Sequence, residues 1–282
     1  MSGVVAGATA RDSFNNTVTG YTGTVRLTSS DSAAVLPANS TLTAGVKTFS
    51  VTLKTAGTRT ITATDTVTSS ITGVETGIVV GPAAATHLVV AWYPTSVVAG
   101  TAHNVTVTAK DPYNNTVTGY TGTVRLTSSD SAAVLPANST LTSGVKTFSV
   151  TLKTAGTRTI TATDTVTASI TGVETGIVVN PAAISKLVVS GLTTPRTHGV
   201  AGSIRVTATD AYGNTITGYI GTVHFTSTDT TASLPANYKF TSTDAGTHVF
   251  SVTLMTKGTW SVTATDTVTA TIKGSQTGIV CS

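Results

Sequence analysis

The chain has 282 residues and a mass of 28.3 kDa, room for two or three ordinary domains or one large one. Hydrophobic residues make up 39% and mean hydropathy is +0.25, which argues against a disordered chain, while only 10% of residues are charged, so solubility rests on neutral polar groups. The net charge of +4 comes from 16 scattered cations with no run of four, which lacks the clustered footprint that nucleic acid requires. Threonine fills 66 positions and is the dominant bias. It is β-branched, favours strands and turns a hydroxyl to water on the face opposite a core, which argues against a helical bundle and an α/β enzyme. The single cysteine, Cys281, has no partner for an internal disulfide, which fits a reducing compartment or a surface protein that avoids thiols. No apolar run reaches membrane-spanning length, and the opening MSGVVAGATARD carries no export signal.

Three copies of one unit follow each other. Tyr21, Tyr120 and Tyr219 are spaced by 99 residues, and Asp31, Asp130 and Asp229 keep the same interval. Phe49, Phe148 and Phe250 are spaced by 99 and then 102, so the third copy has a three-residue insertion near Ser242–Gly246. A period near 100 is too long for a solenoid coil and suits one β-sandwich per copy. The expected units are residues 1–82, 83–181 and 182–282, joined at GPAAA (Gly81–Ala85) and NPAAI (Asn180–Ile184), joints too short to be flexible tethers.

Within the second copy, in chain order, Leu88, Val90 and Trp92 share one phase of a first strand. Val105, Val107 and Ala109 mark the next, then Val124 and Leu126, then Phe148, Val150 and Leu152, then Ile160 and Ala162, with a last run from Ile170 to Val179. Turn signals separate them at DPYNN, SSDS, LPAN, Ser143–Gly144 and Ala155–Gly156. Six or seven short strands per copy predict an all-β chain of three tandem immunoglobulin-like sandwiches. The stretch from DAYGNTITGYIGTVHFTSTD through LPANYKFTSTDAGTHVFSVTL to GTWSVTATDT resembles the tandem immunoglobulin-like repeats of large microbial surface proteins, bacterial or archaeal. That resemblance spans all three copies. It implies a stalk, adhesin or extracellular fibre, at the cell surface or outside the cell, and no particular ligand.

The candidate chemistry is sparse. Asp65, Asp164 and Asp266 end a TATD run in each copy, and Asp12, Asp111 and Asp210 open a D-x-x-x-N turn; with 12 acidic residues in all, turn-capping outranks calcium binding for both sets. Tyr21, Tyr120 and Tyr219 stand in G-Y-x-G, which reads as a packing and hydrogen-bonding anchor. Trp92 and Tyr93 are the candidate carbohydrate platform. The five histidines have no metal spacing, and no nucleophile motif occurs, so neither enzyme nor cofactor is expected. The T-x-T rows look like ice-binding arrays but belong to separate domains, so solvent-facing threonine explains them. Sequons at Asn15, Asn39, Asn104, Asn114 and Asn138 would place glycans on the first two copies only. Glu75 and Glu174 are isopeptide candidates, replaced by Gln276 in the third copy.

The first copy is incomplete. Asp12 aligns with Asp111 at an offset of 99, whereas VVAG at Val4–Gly7 matches Val97–Gly100 at 93, which implies a six-residue gap in its second strand as well as loss of the LVVAW strand. A sandwich without an edge strand exposes unpaired backbone and an apolar groove. Truncation of a longer array and strand complementation between subunits both account for it. On the second account Val4, Val5, Ala8, Ala10 and Asp12 are the acceptor, and the final segment with Ile272, Ile279 and Val280 is the donor, building a head-to-tail fibre.

Overall fold

The computed structural model describes residues 2–282, almost all of them in strands and tight turns. The second repeat shows the full pattern. Strands β7 (His87–Ala91), β9 (Ala102–Lys110) and β12 (Val145–Thr151) are preceded in chain order by β1–β6 of the first repeat, given below. They form one antiparallel sheet in the order β12-β9-β7. The facing sheet runs β11-β10-β13-β14-β8, from β8 (Ser96–Val98), β10 (Thr123–Ser128), β11 (Ser139–Thr140), β13 (Gly156–Asp164) and β14 (Thr171–Asn180), with β8 parallel to β14. The inward set is the one the alternation predicts: Val105, Val107, Val124, Leu126, Val150, Leu152 and Ile160 are buried. Outward threonines pair across strands, as Thr106 with Thr147 at 3.1 Å and Thr163 with Thr171 at 3.1 Å.

The phase breaks where backbone geometry breaks it. Trp92 does not continue the inward row of Leu88 and Val90: its left-handed φ of 73° ends β7 and turns the indole out, 84% exposed, while Tyr93 goes inward. In the last run, one extra residue on β14 opposite Arg158–Ile160, with Gly176 at φ 75°, resets the alternation so that Ile177 and Val179 face the core.

The third repeat has sheets β15-β16-β19 and β18-β17-β20-β21 over its own core. Its strands are β15 (Lys186–Ser190), β16 (Ala201–Thr209), β17 (Thr222–Ser227), β18 (Tyr238–Lys239), β19 (Thr247–Thr253), β20 (Gly258–Asp266) and β21 (Lys273–Cys281). Its insertion forms a 3-10 turn at Ser242–Asp244, capped by Thr241 and Asp244.

The first repeat has β2 (Thr24–Ser29), β3 (Ser40–Thr41), β5 (Gly57–Asp65) and β6 (Thr72–Val80) in one sheet, but only β1 (Ser2–Thr9) and β4 (Val46–Leu53) in the other. Among the described residues it has no counterpart of β7 or β8. The expected six-residue gap is absent, however. Gly7 lies opposite Thr48 as Thr106 lies opposite Thr147, so β1 matches β9 at the same offset of 99 throughout. Val4–Gly7 therefore lies within β1, whereas VVAG in the second repeat is the end of β8 and the turn after it; the four-letter match was coincidental.

Each G-Y-x-G and TATD pair forms one corner. The Tyr120 hydroxyl donates to Asp164 Oδ2, while Asp164 Oδ1 accepts the Val166 and Thr167 N–H groups at 2.8 and 2.7 Å. Gly122 lies under the phenol, where a Cβ would overlap both the tyrosine ring and the carboxylate. Tyr21 with Asp65 and Tyr219 with Asp266 repeat the arrangement. The hydrogen bond to Asp65, with burial, pushes the Tyr21 phenol up to about 12. For Asp164, burial raises the carboxyl, but the Thr167 N–H, the Tyr120 hydroxyl and the Val166 N–H outweigh it and the net direction is down. The turn-capping expectation for these aspartates holds. Tyr120→Phe removes one bond to a charged acceptor and is expected to cost about 1.5–3 kcal/mol. Gly122→Ala, which displaces the ring, costs more. Calorimetry will show one of three transitions shifting down; an unmoved melt in Tyr120→Phe would show that the hydroxyl contributes nothing.

Candidate functional site

The D-x-x-x-N turn is where one sandwich grips the next. Asp111 Oδ1 accepts the N–H groups of Tyr113 and Asn115, both at 2.9 Å, and its Oδ2 accepts Asn115 Nδ2 at 2.8 Å and the linker N–H of Ala83 at 2.9 Å. The fourth turn position is left-handed (Asn114, φ 64°; Gly213, φ 88°), which is why Asn or Gly stands there. So fixed, the Asn115 amide reaches the first sandwich: Nδ2 donates to Lys54 O at 2.7 Å and Oδ1 accepts the Ala56 N–H at 2.9 Å. The second joint repeats this, with Asn214 on Lys153 O and Ala155 N–H, both at 2.7 Å, and Ala182 N–H on Asp210 at 2.9 Å.

The gripped turn is itself rigid. The Asp31 carboxylate accepts the N–H groups of Lys54 (2.6 Å) and Thr55 (2.8 Å) and the Thr55 hydroxyl (2.6 Å). Burial alone would raise its pKa; the Thr55 hydroxyl and the backbone N–H groups of Thr55, Lys54 and Ala33 bring it down to about 2. Arg59 closes the turn from the other side through Thr55 O and Ala56 O. Over the turn, Lys54 Nζ lies 5.6 Å from the Tyr113 ring and Lys153 Nζ 5.8 Å from the Tyr212 ring. The Tyr212 hydroxyl end also seats on Gly100 of the second sandwich, where any Cβ would overlap it. Three interdomain or linker hydrogen bonds at about 1 kcal/mol each, with a cation–π contact of about 0.5–1 kcal/mol, hold each joint. Even half that sum favours the joined geometry over a free hinge by more than tenfold.

At the other end of the first sandwich the same turn meets no other sandwich among the described residues. Asp12 accepts from Phe14, Asn16 N and Asn16 Nδ2, but both residues are exposed, and Phe14, in the place of Tyr113, is 84% exposed. Beside it lies a groove of about 650 Å³ between β1 and β6, lined by Ala8, Ala10, Leu27, Ile61, Gly73 and Glu75 among others. It is the space that β7 and β15 fill elsewhere. Ala63 and Ile78 are only partly buried there, whereas their counterparts Ala162 and Ile177 are 0% and 1% exposed.

Of the residues expected at a subunit contact, Ala8 and Ala10 line this groove, Val5 is 72% exposed, Val4 packs on the core and Asp12 is exposed next to Arg11 of the lining. On the donor side, β21 is paired along β20, Ile279 has no exposure, Ile272 packs on its own core and Val280 is 41% exposed. Trp92 and Tyr93 do not form a joint platform: Tyr93 is 3% exposed, with its hydroxyl on Val150 O at 3.3 Å, which leaves Trp92 alone at the surface. Asn15, Asn39, Asn104, Asn114 and Asn138 are all exposed. In the third repeat Gln276 holds the end of the first strand, bonding both Leu192 N–H and C=O; burial raises the carboxyl of its counterpart Glu174, whose Oε2 is buried without a hydrogen-bond partner. The joint asparagines went unread at the sequence level, although D-x-x-x-N recurring at 99-residue spacing beside each linker was the signal for them. Among the described residues, no three His, Cys, Asp or Glu side chains gather, and no helix is long and apolar enough to cross a membrane.

No family model and no curated protein matches the chain. Among solved structures it is similar to the Escherichia coli adhesin FdeC, at 20% identity and a TM-score of 0.40, covering 98% of this chain and 90% of that one. It is also similar to invasin, a bacterial integrin-binding protein (17%, TM-score 0.37, covering 100% and 60%), and to domains 4–9 of the surface layer protein SbsC (21%, TM-score 0.29, covering 96% and 41%). These neighbours are tandem immunoglobulin-like and surface-layer repeats. The all-β sandwich fold rests on the strand pairing described above.

Replacing both joint asparagines, Asn115→Ala with Asn214→Ala, leaves all three cores intact. Small-angle scattering is expected to show a broader distribution of end-to-end distances, with the melts of the individual sandwiches changed by less than about 1 kcal/mol. An unchanged scattering profile would show that the joints are set by the linkers alone.

Proposed function

We propose that this chain is a non-enzymatic, extracellular structural element: a stiff stalk or filament subunit made of three units, residues 1–82, 83–181 and 182–282, and assembled head to tail. The observation that carries this reading is the repeated clamp of Asn115 on Lys54–Ala56 and of Asn214 on Lys153–Ala155. A binding module needs one rigid domain; an element bearing load or setting distance needs rigid joints, and here the same joint is built twice. The open groove of the first sandwich supplies a means of assembly, with a strand from a neighbouring subunit completing the sheet at β1. Because β21 is an integral strand of the third sandwich, with Ile279 buried and Ile272 on its own core, Val280 is the donor-side residue left at a surface for such a contact.

Sandwiches of this strand length are each on the order of 30–40 Å long, so the rod spans roughly 100 Å. Small-angle scattering is expected to give that maximum dimension, and sedimentation at rising concentration to give end-to-end oligomers. A compact particle sinks the rod, and a monomer at all concentrations sinks the assembly.

A second reading, an adhesin or carbohydrate-binding module, is supported by Trp92 alone, an 84% exposed indole on a left-handed backbone. It predicts glycan-array signals that Trp92→Ala abolishes; an array with no signals removes it.

A further inference from the structure

We propose that the third sandwich carries a site for a single acidic sugar residue, held through its carboxylate by Arg196, in the cavity beside the end of β15 and the start of β16. The site lies apart from the joints, from the groove of the first sandwich and from Trp92, and it does not rest on the stalk reading. It arises from replacements that set the third repeat apart from the second at one corner of the fold.

Register fixes the correspondence. Ser190 lies opposite Arg205 as Ala91 lies opposite Thr106, and Arg196 bridges to Cys281 as Val97 pairs with Val179. In the second repeat the corner is filled: Tyr93 and Val97 are buried, and the Tyr93 ring meets His103 edge-on with centroids 5.6 Å apart. In the third, Leu192 stands in the place of Tyr93, and Gly191 and Gly202 in the places of Trp92 and His103. The corner without those rings holds a cavity of about 280 Å³, lined by Leu192, Thr193, Arg196, Thr197, Gly202 and Ser203 among others.

A charge enters that space. Arg196 takes the place of the apolar Val97, and its guanidinium lies over Gly202, where a Cβ would overlap Nη1 and Nη2. Nη2 donates to Val200 O at 2.5 Å, Nε is buried without an acceptor, and among the described residues no carboxylate pairs with the group. A buried guanidinium N–H without an acceptor is costly, and a carboxylate suits it best because two oxygens match the planar fork. The second repeat has an anion at this edge, Glu174, but the third has Gln276 there, its amide spent on the Leu192 backbone. A cation gained and an anion lost leave the cavity with an uncompensated positive charge. Thr193, Thr197 and Ser203 add hydroxyl-bearing side chains to the lining, which favours a hydroxylated ring over an alkyl chain, and the volume suits one ring and not a chain of them. The corner is also accessible. In the second repeat, which bears a further sandwich, Trp92, Thr101, Ala102 and Asn104 of the same edge stay exposed, so a following sandwich does not cover it.

The test titrates the full chain, isotopically labelled for amide spectra, at low ionic strength with two acidic sugars, methyl glucuronide and the methyl glycoside of N-acetylneuraminic acid. Methyl glucoside, sodium acetate and sodium sulfate serve as parallel probes. The amide signals of Gly191, Gly202 and Ser203 are expected to shift saturably with at least one acidic sugar, to ignore the glucoside, and to need about tenfold more acetate or sulfate. Arg196→Val restores the residue that the second repeat carries and is expected to weaken binding by about tenfold or more, the loss of one charge-assisted pair. Gln276→Glu, likewise the residue of the second repeat, offers Arg196 a carboxylate from within the chain and is expected to weaken binding severalfold; thermal melts matching the parent will show that both variants fold. No saturable shift with either acidic sugar, shifts that Arg196→Val leaves unchanged, or an equal affinity for acetate, sulfate or the neutral glucoside overturns the assignment.

Discussion

A carboxylate that accepts backbone N–H groups is the interaction on which the rest of this structure depends. The chain is poor in charge, yet among the described residues ten polar residues are buried, and eight of them are the repeating aspartates Asp31, Asp65, Asp111, Asp130, Asp164, Asp210, Asp229 and Asp266. A buried carboxylate without partners would be prohibitively costly, so each one forces the turn around it into the geometry that supplies donors. Asp31 and Asp130 fix the K-T-A turn, Asp65 and Asp164 the turn after the TATD strand, and Asp111 and Asp210 the turn that receives the linker. Hydrophobic alternation builds the sheets, and these carboxylates decide where the loops between the sheets lie.

Joint rigidity follows from stacking two such turns end to end. Asp31 presents the carbonyl of Lys54 and the N–H of Ala56 in fixed positions, and Asp111 presents the amide of Asn115 in a fixed rotamer. Neither side has to be ordered when the two meet, so little conformational entropy is lost in making the contact and most of the hydrogen-bond energy appears as stiffness. The linker prolines and the Gly100–Tyr212 contact narrow the remaining freedom.

Most of the fold was legible in the sequence because its signals are local and periodic. Val105-Val107-Ala109 and Phe148-Val150-Leu152 alternate cleanly, and those residues are inward as expected. Reading failed where one backbone torsion overrides the pattern, as at Trp92, or where a short identity competes with register, as at Val4–Gly7, which pairs with β4 at the regular offset. The roles of Asn115 and Asn214 were hidden for a different reason. Their partners lie 59 and 61 residues away on another domain, and no sequence period brings a side-chain amide to a distant turn. The groove was legible in outline, because the missing LVVAW strand announced an open edge, while its lining by Gly73 and Glu75 is set by β6 and its bulge rather than by any local sequence signal.

The first and third sandwiches differ chemically at the turns that correspond to the two sides of a joint. The first sandwich presents Phe14 and Asn16 in the geometry used at both internal joints. The third presents Met255–Lys257 where the other copies carry K-T-A, and Trp260 Nε1 on Thr256 O in place of the arginine that closes their turns. Asp229 still holds the backbone of Met255 and Thr256, at 2.7 and 3.1 Å. The carbonyl and N–H that a joint asparagine needs are thus kept, while the cation that lies over the aromatic ring is lost at 255 and a new one appears at 257. An end-to-end contact between two copies would then have the asparagine clamp without the cation–π contact in its internal position, so it is weaker than the joints within the chain.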